Sequence, residues 1–169
     1  MYLIVMYLAA IVAANLTTAA FGPGMSVINA LLFIGLDLTA RDRLHEQWSG
    51  RDLWRNMALL IGAGSILSAA LNWNAASIAV ASFAAFAAAG VVDTVVYAAM
   101  GSRARLVKIN GSNIASAAVD SVVFPALAFG LPLLVPIMVG QFAAKTIGGA
   151  VWSVVLHNKN LDLSEQGGS

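Results

Sequence analysis

Six long apolar runs separated by short breaks leave this chain few architectures. The runs cover Tyr2 to about Ala20, Met25 to about Ala40, Leu53 to about Leu71, Ala75 to about Met100, Ile109 to about Phe129 and Leu133 to about Leu156. A helix crossing the hydrocarbon core of a bilayer needs roughly 20 mostly apolar residues, and the runs are near that length. The breaks are Phe21-Gly22-Pro23-Gly24, the charged stretch Arg41 to Trp48, Asn72-Trp73-Asn74, Gly101 to Arg105, Gly130-Leu131-Pro132 and His157-Asn158-Lys159. A water-soluble core is excluded by composition. Hydrophobic residues make up 60% of 169 positions and charged ones 10%, against about half and about a quarter in soluble domains. Barrel strands are excluded because the runs are long and lack alternation. The expectation is an all-α membrane protein, a single six-transmembrane-helix bundle over residues 1–160, with 161–169 as a C-terminal tail. The first run has no basic leader, so it reads as a retained helix rather than a cleaved signal peptide.

Basic residues set the expected orientation. Arg41, Arg43, Arg51 and Arg55 follow the second run, Arg103, Arg105 and Lys108 follow the fourth, and Lys159 follows the sixth. The breaks after the first, third and fifth runs hold no Lys or Arg. Six spans gather all basic segments on one side, which the positive-inside rule makes the cytoplasm. Both termini are then cytoplasmic, in a multi-pass protein of the cytoplasmic membrane.

The remaining basic residue, Lys145, lies inside the sixth run, and Asp37, Asp93 and Asp120 lie inside others. An ionisable group near the bilayer centre costs at least about 2.5–3.5 kcal/mol on insertion scales, so it ordinarily faces a cavity or a partner. Counted from the nearest basic or histidine boundary at about 1.5 Å per residue, Asp93, Asp120 and Lys145 fall at one depth, roughly 15–18 Å in. That predicts a central site. Helical spacing adds Ser112 and Ser116 on the face of Asp120 with Phe124 a turn further, Phe86, Gly90 and Tyr97 with Asp93, and Gln141 with Lys145. The same three charges also read as a structural ion-pair network. Asp37 precedes Arg41 by four residues at the membrane boundary, which predicts a local helical pair acting as a gate or clamp at the cytoplasmic mouth.

Enzyme signatures are missing: there is no phosphate-cradling Gly loop, H-E-x-x-H or G-x-S-x-G. There is no Cys, and His45 and His157 both fall at cytoplasmic edges and make an unconvincing metal pair, so no metal, cofactor or catalytic residue is expected. The net charge of +1 argues neither way about nucleic acid, and nothing else calls for it. The expected partners are a small-molecule substrate and the lipid bilayer, with room for a homo-oligomer.

Several short motifs carry a family resemblance. Asp37-Leu38-Thr39-Ala40-Arg41 resembles the D-L-T-x-R signature that closes the second helix of the queuosine-precursor transporters, within the vitamin uptake transporter family. Asn15 matches an Asn of the first helix, and Gly90-Val91-Val92-Asp93 is similar to a G-x-x-D of the fourth. Asp120-Ser121 with Phe124 and Ala128-Phe129 is similar to the D-[ST]-x-x-x-F…A-F segment of the fifth, and Phe142-Ala143-Ala144-Lys145 resembles F-x-x-K in the last. The resemblance implies uptake of a 7-deazaguanine such as 7-cyano-7-deazaguanine (preQ0) or preQ1. It also implies substrate contacts at Asn15, Asp93, Asp120 and Lys145 with Phe124 stacking on the base, to which helical spacing and the chemistry of the base add Ser116, Gln141 and Tyr97. The chain is compact for that family, and Asp42 to Trp48 is unusually charged. A carboxylate can accept the adjacent N1–H and 2-amino donors of such a base in a charge-assisted pair. The O6 acceptor needs a donor, for which Lys145, Gln141 and Asn15 are candidates. Two other readings remain. One is the substrate-binding subunit of an energy-coupling-factor importer, which needs a membrane partner and coupling-factor ATPases, with Ala9, Ala10, Ala13 and Ala14 as a docking face. The other is a non-transporting membrane protein with structural charges.

Overall fold

The computed structural model describes residues 2–33 and 51–148. Asp37, Arg41, the charged stretch after them, the end of the sixth run and the tail lie outside the described residues. Every element described is helical: α1 (Tyr2–Phe21), α2 (Pro23–Phe33 in its described part), α3 (Arg51–Leu71), a 3-10 turn (Trp73–Ala75), α4 (Ala76–Ala99), α5 (Arg105–Phe129) and α6 (135–148). Three helices are long and apolar enough to cross a membrane: Ile4–Phe21, Trp73–Ala99 and Asn110–Phe129. Pro23–Phe33 and Arg55–Leu71 are shorter apolar helices. Large apolar side chains point outward all along the molecule, including Val5, Leu32, Ile66, Val80, Val91, Val122 and Val139, as a lipid-facing surface requires.

The breaks have local causes. Gly22 alone separates α1 from α2: its φ of +82° is open to glycine at no steric cost, and Pro23 then suits the first helical position, where no N–H is needed. The Gly22 amide still donates to Thr18 O at 2.9 Å. Asn72 ends α3 by turning its side chain to accept from Asn74 N at 3.0 Å, which caps the 3-10 turn. Gly130, at φ +72°, closes α5 with its amide on Ala126 O at 3.1 Å and turns the chain toward α6.

Helix packing has two different halves. At the end carrying the turns at 22, 72–75 and 130–134, polar groups join the helices. The Asn29 side-chain nitrogen on α2 lies 3.0 Å from each of Ala14 O, Thr17 Oγ1 and Thr18 Oγ1 on α1. Asn15 Nδ2 donates to Ser68 Oγ on α3 at 3.1 Å, and Ser65 Oγ donates to Ala79 O on α4 at 3.2 Å. Toward the other end the buried cluster is apolar: Tyr7, Met57, Leu60 and Ile61, flanked by Ile4, Leu8, Ile11 and Phe86. Between the halves α1 and α3 approach closely. A Cβ on Gly64 would lie 2.7 Å from Ile11 Cγ2 and 3.1 Å from its Cβ, so only glycine fits there. The contacts Ile11–Gly64 and Asn15–Ser68 keep the same offset along both chains, so α1 and α3 run parallel. Helices α4 and α5 form an antiparallel pair, pinned by the Lys108 ammonium 4.1 Å above the Tyr97 ring.

Candidate binding site

An ammonium in an apolar helix needs a counter-charge or an acceptor, and Lys145 on α6 has both. Its Nζ pairs with Asp120 Oδ2 on α5 and donates to Gln141 Oε1, one turn back on α6, at 3.3 Å. The side chains of Lys145 and Asp120 are 18% and 26% exposed, so the pair is reachable rather than sealed. Beyond it the bonding continues. Gln141 Nε2 donates to Ser26 Oγ on α2 at 2.7 Å, and Ser26 Oγ donates to Pro23 O at 2.6 Å. Gln141 and Ser26 are buried, at 2% and 6% exposure. One chain of hydrogen bonds therefore runs from the first turn of α2, across α6, to Asp120 on α5.

The turns explain why these groups meet. Asp120 lies nine residues before the end of α5 at Phe129 and Lys145 ten after the start of α6 at 135. The intervening turn brings the two to the same level, roughly 14–15 Å from the turn end at 1.5 Å per residue. Below Asp120, Pro125 is fully buried inside α5. Lacking an N–H, it cannot bond to Ser121 O, and the buried Ser121 Oγ has no partner of its own. Phe124 packs edge-on against Phe129 at 5.9 Å between ring centres.

Asp93 shares no hydrogen bond or ion pair with this cluster. Asp93 Oδ1 is buried without a hydrogen-bond partner. Beside it, Phe86, Gly90 and Thr94 line an open cavity of about 410 Å³ between α3 and α4 that is walled almost wholly by apolar groups. Asp120 and Lys145 are not among its walls.

The other expected site residues are scattered. Asn15 is bound to Ser68, not to Lys145. Ser116 Oγ donates to Asn113 O of its own helix at 3.1 Å, and Tyr97 is partly exposed under Lys108. Asp37 and Arg41 lie outside the described residues. Among the described residues no three His, Cys, Asp or Glu side chains converge as metal ligands do. Ser26 and Asn29 went unnoticed in the sequence, although two polar residues at i, i+3 in an otherwise apolar run were the signal.

A family model described as "Putative vitamin uptake transporter" matches residues 2–156. The chain belongs to this family. No curated protein and no solved structure matches it. As a vitamin uptake transporter the chain is a membrane protein whose apolar helices carry a reachable charged pair. In a transporter, that pair and its Gln141 extension offer a small polar solute two acceptors, the Asp120 carboxylate and Gln141 Oε1, and one donor, Lys145 Nζ.

Proposed function

We propose that this chain is a six-span secondary transporter importing a queuosine precursor, a 7-deazaguanine such as preQ0 or preQ1, across the cytoplasmic membrane. Both termini face the cytoplasm. The observation that carries the reading is the Asp120–Lys145–Gln141 cluster. A deazaguanine edge presents two adjacent donors, N1–H and the 2-amino group, beside one acceptor, O6. The cluster presents the complement. Asp120 accepts from N1–H and the 2-amino group, Gln141 Oε1 takes the remaining amino proton, and Lys145 turns from the carboxylate to O6. In the empty protein Lys145 thus stands in for the ligand's donors and keeps the carboxylate paired. Aromatic faces such as Phe124 stack on the heterocycle, a contact worth about 1–3 kcal/mol per base. Asp93, on the neighbouring helix α4, is a second acceptor on the substrate's path.

Calorimetric titration of the purified protein with a deazaguanine, and with the same base lacking its 2-amino group, tests this. A hydrogen bond to a charged group contributes about 1.5–3 kcal/mol, so Asp120→Asn lowers affinity for the first base roughly ten- to a hundredfold and affects the second less. Near-normal affinity in a well-folded Asp120→Asn variant overturns the assignment.

A further inference from the structure

The Gln141 side chain is held in one orientation from both ends. Ser26 has a single hydroxyl proton, and it is committed to Pro23 O at 2.6 Å. Toward Gln141, 2.7 Å away, Ser26 Oγ can therefore only accept, which demands the NH2 end of the amide. Lys145 is donor-only and demands the carbonyl end at 3.3 Å. When a ligand's carbonyl draws the ammonium away, the second constraint is lost and Ser26 alone keeps the carbonyl facing the site. A reversed amide would offer N–H donors at the same place.

We propose that Ser26 determines specificity: through the Pro23 carbonyl it fixes the polarity of the Gln141 amide, so the site accepts a 2-amino group and rejects a 2-oxo group. Ser26 touches no substrate and acts as a positioning residue through Gln141. The inference rests on the deazaguanine reading of the Asp120–Lys145 site and adds the residue that tells guanine-type from xanthine-type bases. The helix itself supplies the anchor, because Pro23 begins α2 and its carbonyl lies one turn before Ser26.

The experiment measures affinity for 7-deazaguanine and 7-deazaxanthine in the wild type, Ser26→Ala and Ser26→Thr. In Ser26→Ala the amide is free to turn once a ligand has drawn Lys145 away, and the preference for the 2-amino base is expected to fall about tenfold, the scale of one hydrogen bond. Ser26→Thr keeps the hydroxyl and is expected to keep the preference. If Ser26→Ala does not fold, Ser26→Cys carries the comparison. Equal loss for both bases, with the ratio unchanged, makes Ser26 a packing residue and overturns the inference. If the wild type binds neither base, the deazaguanine reading falls. The role of Ser26 is then decided without ligand by the side-chain amide NMR signal of Gln141, assigned with Gln141→Glu. An unmoved signal in Ser26→Ala overturns the inference, and a shifted one upholds the hold on the amide.

Discussion

Replacing Lys145 and Asp120 singly and together separates a binding pair from a structural one. Lys145→Met leaves a carboxylate in an apolar helix with no ammonium beside it, and Asp120→Leu leaves an ammonium with only the Gln141 carbonyl at 3.3 Å. Breaking a buried ion pair costs about 3–5 kcal/mol, largely because the surviving charge is uncompensated. Exposures of 18% and 26% let water relieve part of that penalty, so each single variant is expected to lose about 3 kcal/mol. Asp120→Leu should be the milder, since Gln141 still accepts from the amine. The double variant removes both charges and keeps roughly the same volume, and such swaps are often neutral or stabilising. It should recover about 2 kcal/mol or more relative to the worse single variant. Reversible unfolding in mixed micelles, followed by helical circular dichroism, reads the cycle, and calorimetry on the same samples reads deazaguanine binding. The expected result is a double variant that folds well and does not bind. A double variant as unstable as the worse single one means the two charges are not each other's main partners. One that folds and binds like the wild type makes the pair purely structural and ends the site assignment.

Gly64→Ala is expected to lose about 1–3 kcal/mol, because the new Cβ meets Ile11 Cγ2 at 2.7 Å and overpacking of this kind costs that much; adding Ile11→Ala should restore most of it in the same unfolding assay. Reporter fusions test the topology: one placed after Asn74 should report as external and one after Ser102 as cytoplasmic, and the reverse pattern would overturn both the orientation and the direction of import.

The helical architecture was legible because apolar run length and turn chemistry agree at the breaks among the described residues. The fourth run was expected from about Ala75 to Met100 and forms Ala76–Ala99 after a 3-10 turn capped by Asn72. The fifth starts earlier than expected, at Arg105 rather than about Ile109. Arg105-Leu106-Val107-Lys108 holds no helix breaker, yet its charges read as a loop. That Lys145 pairs with a carboxylate was readable, since a lone intramembrane ammonium must find one, but the choice of Asp120 over Asp93 was not. Its extension through Gln141 to Ser26 was not, because it depends on α6 lying against α2. Only tertiary packing fixes that neighbour, as where the side chain of Val27 comes within 3.2 Å of a Cβ placed on Gly140.

The unequal halves of the bundle make its helices separate by different rules at the two ends. Near the turns, Asn29, Asn15, Ser68, Ser65 and Gln141 hold their partners by directional bonds, which lose most of their strength once a helix tilts by an ångström or so. Where Met57, Leu60 and Ile61 pack together the contacts are dispersive, and such side chains can slide past one another while staying in touch. A rocking displacement of one helix pair therefore meets a latch at the turn end and a bearing at the other.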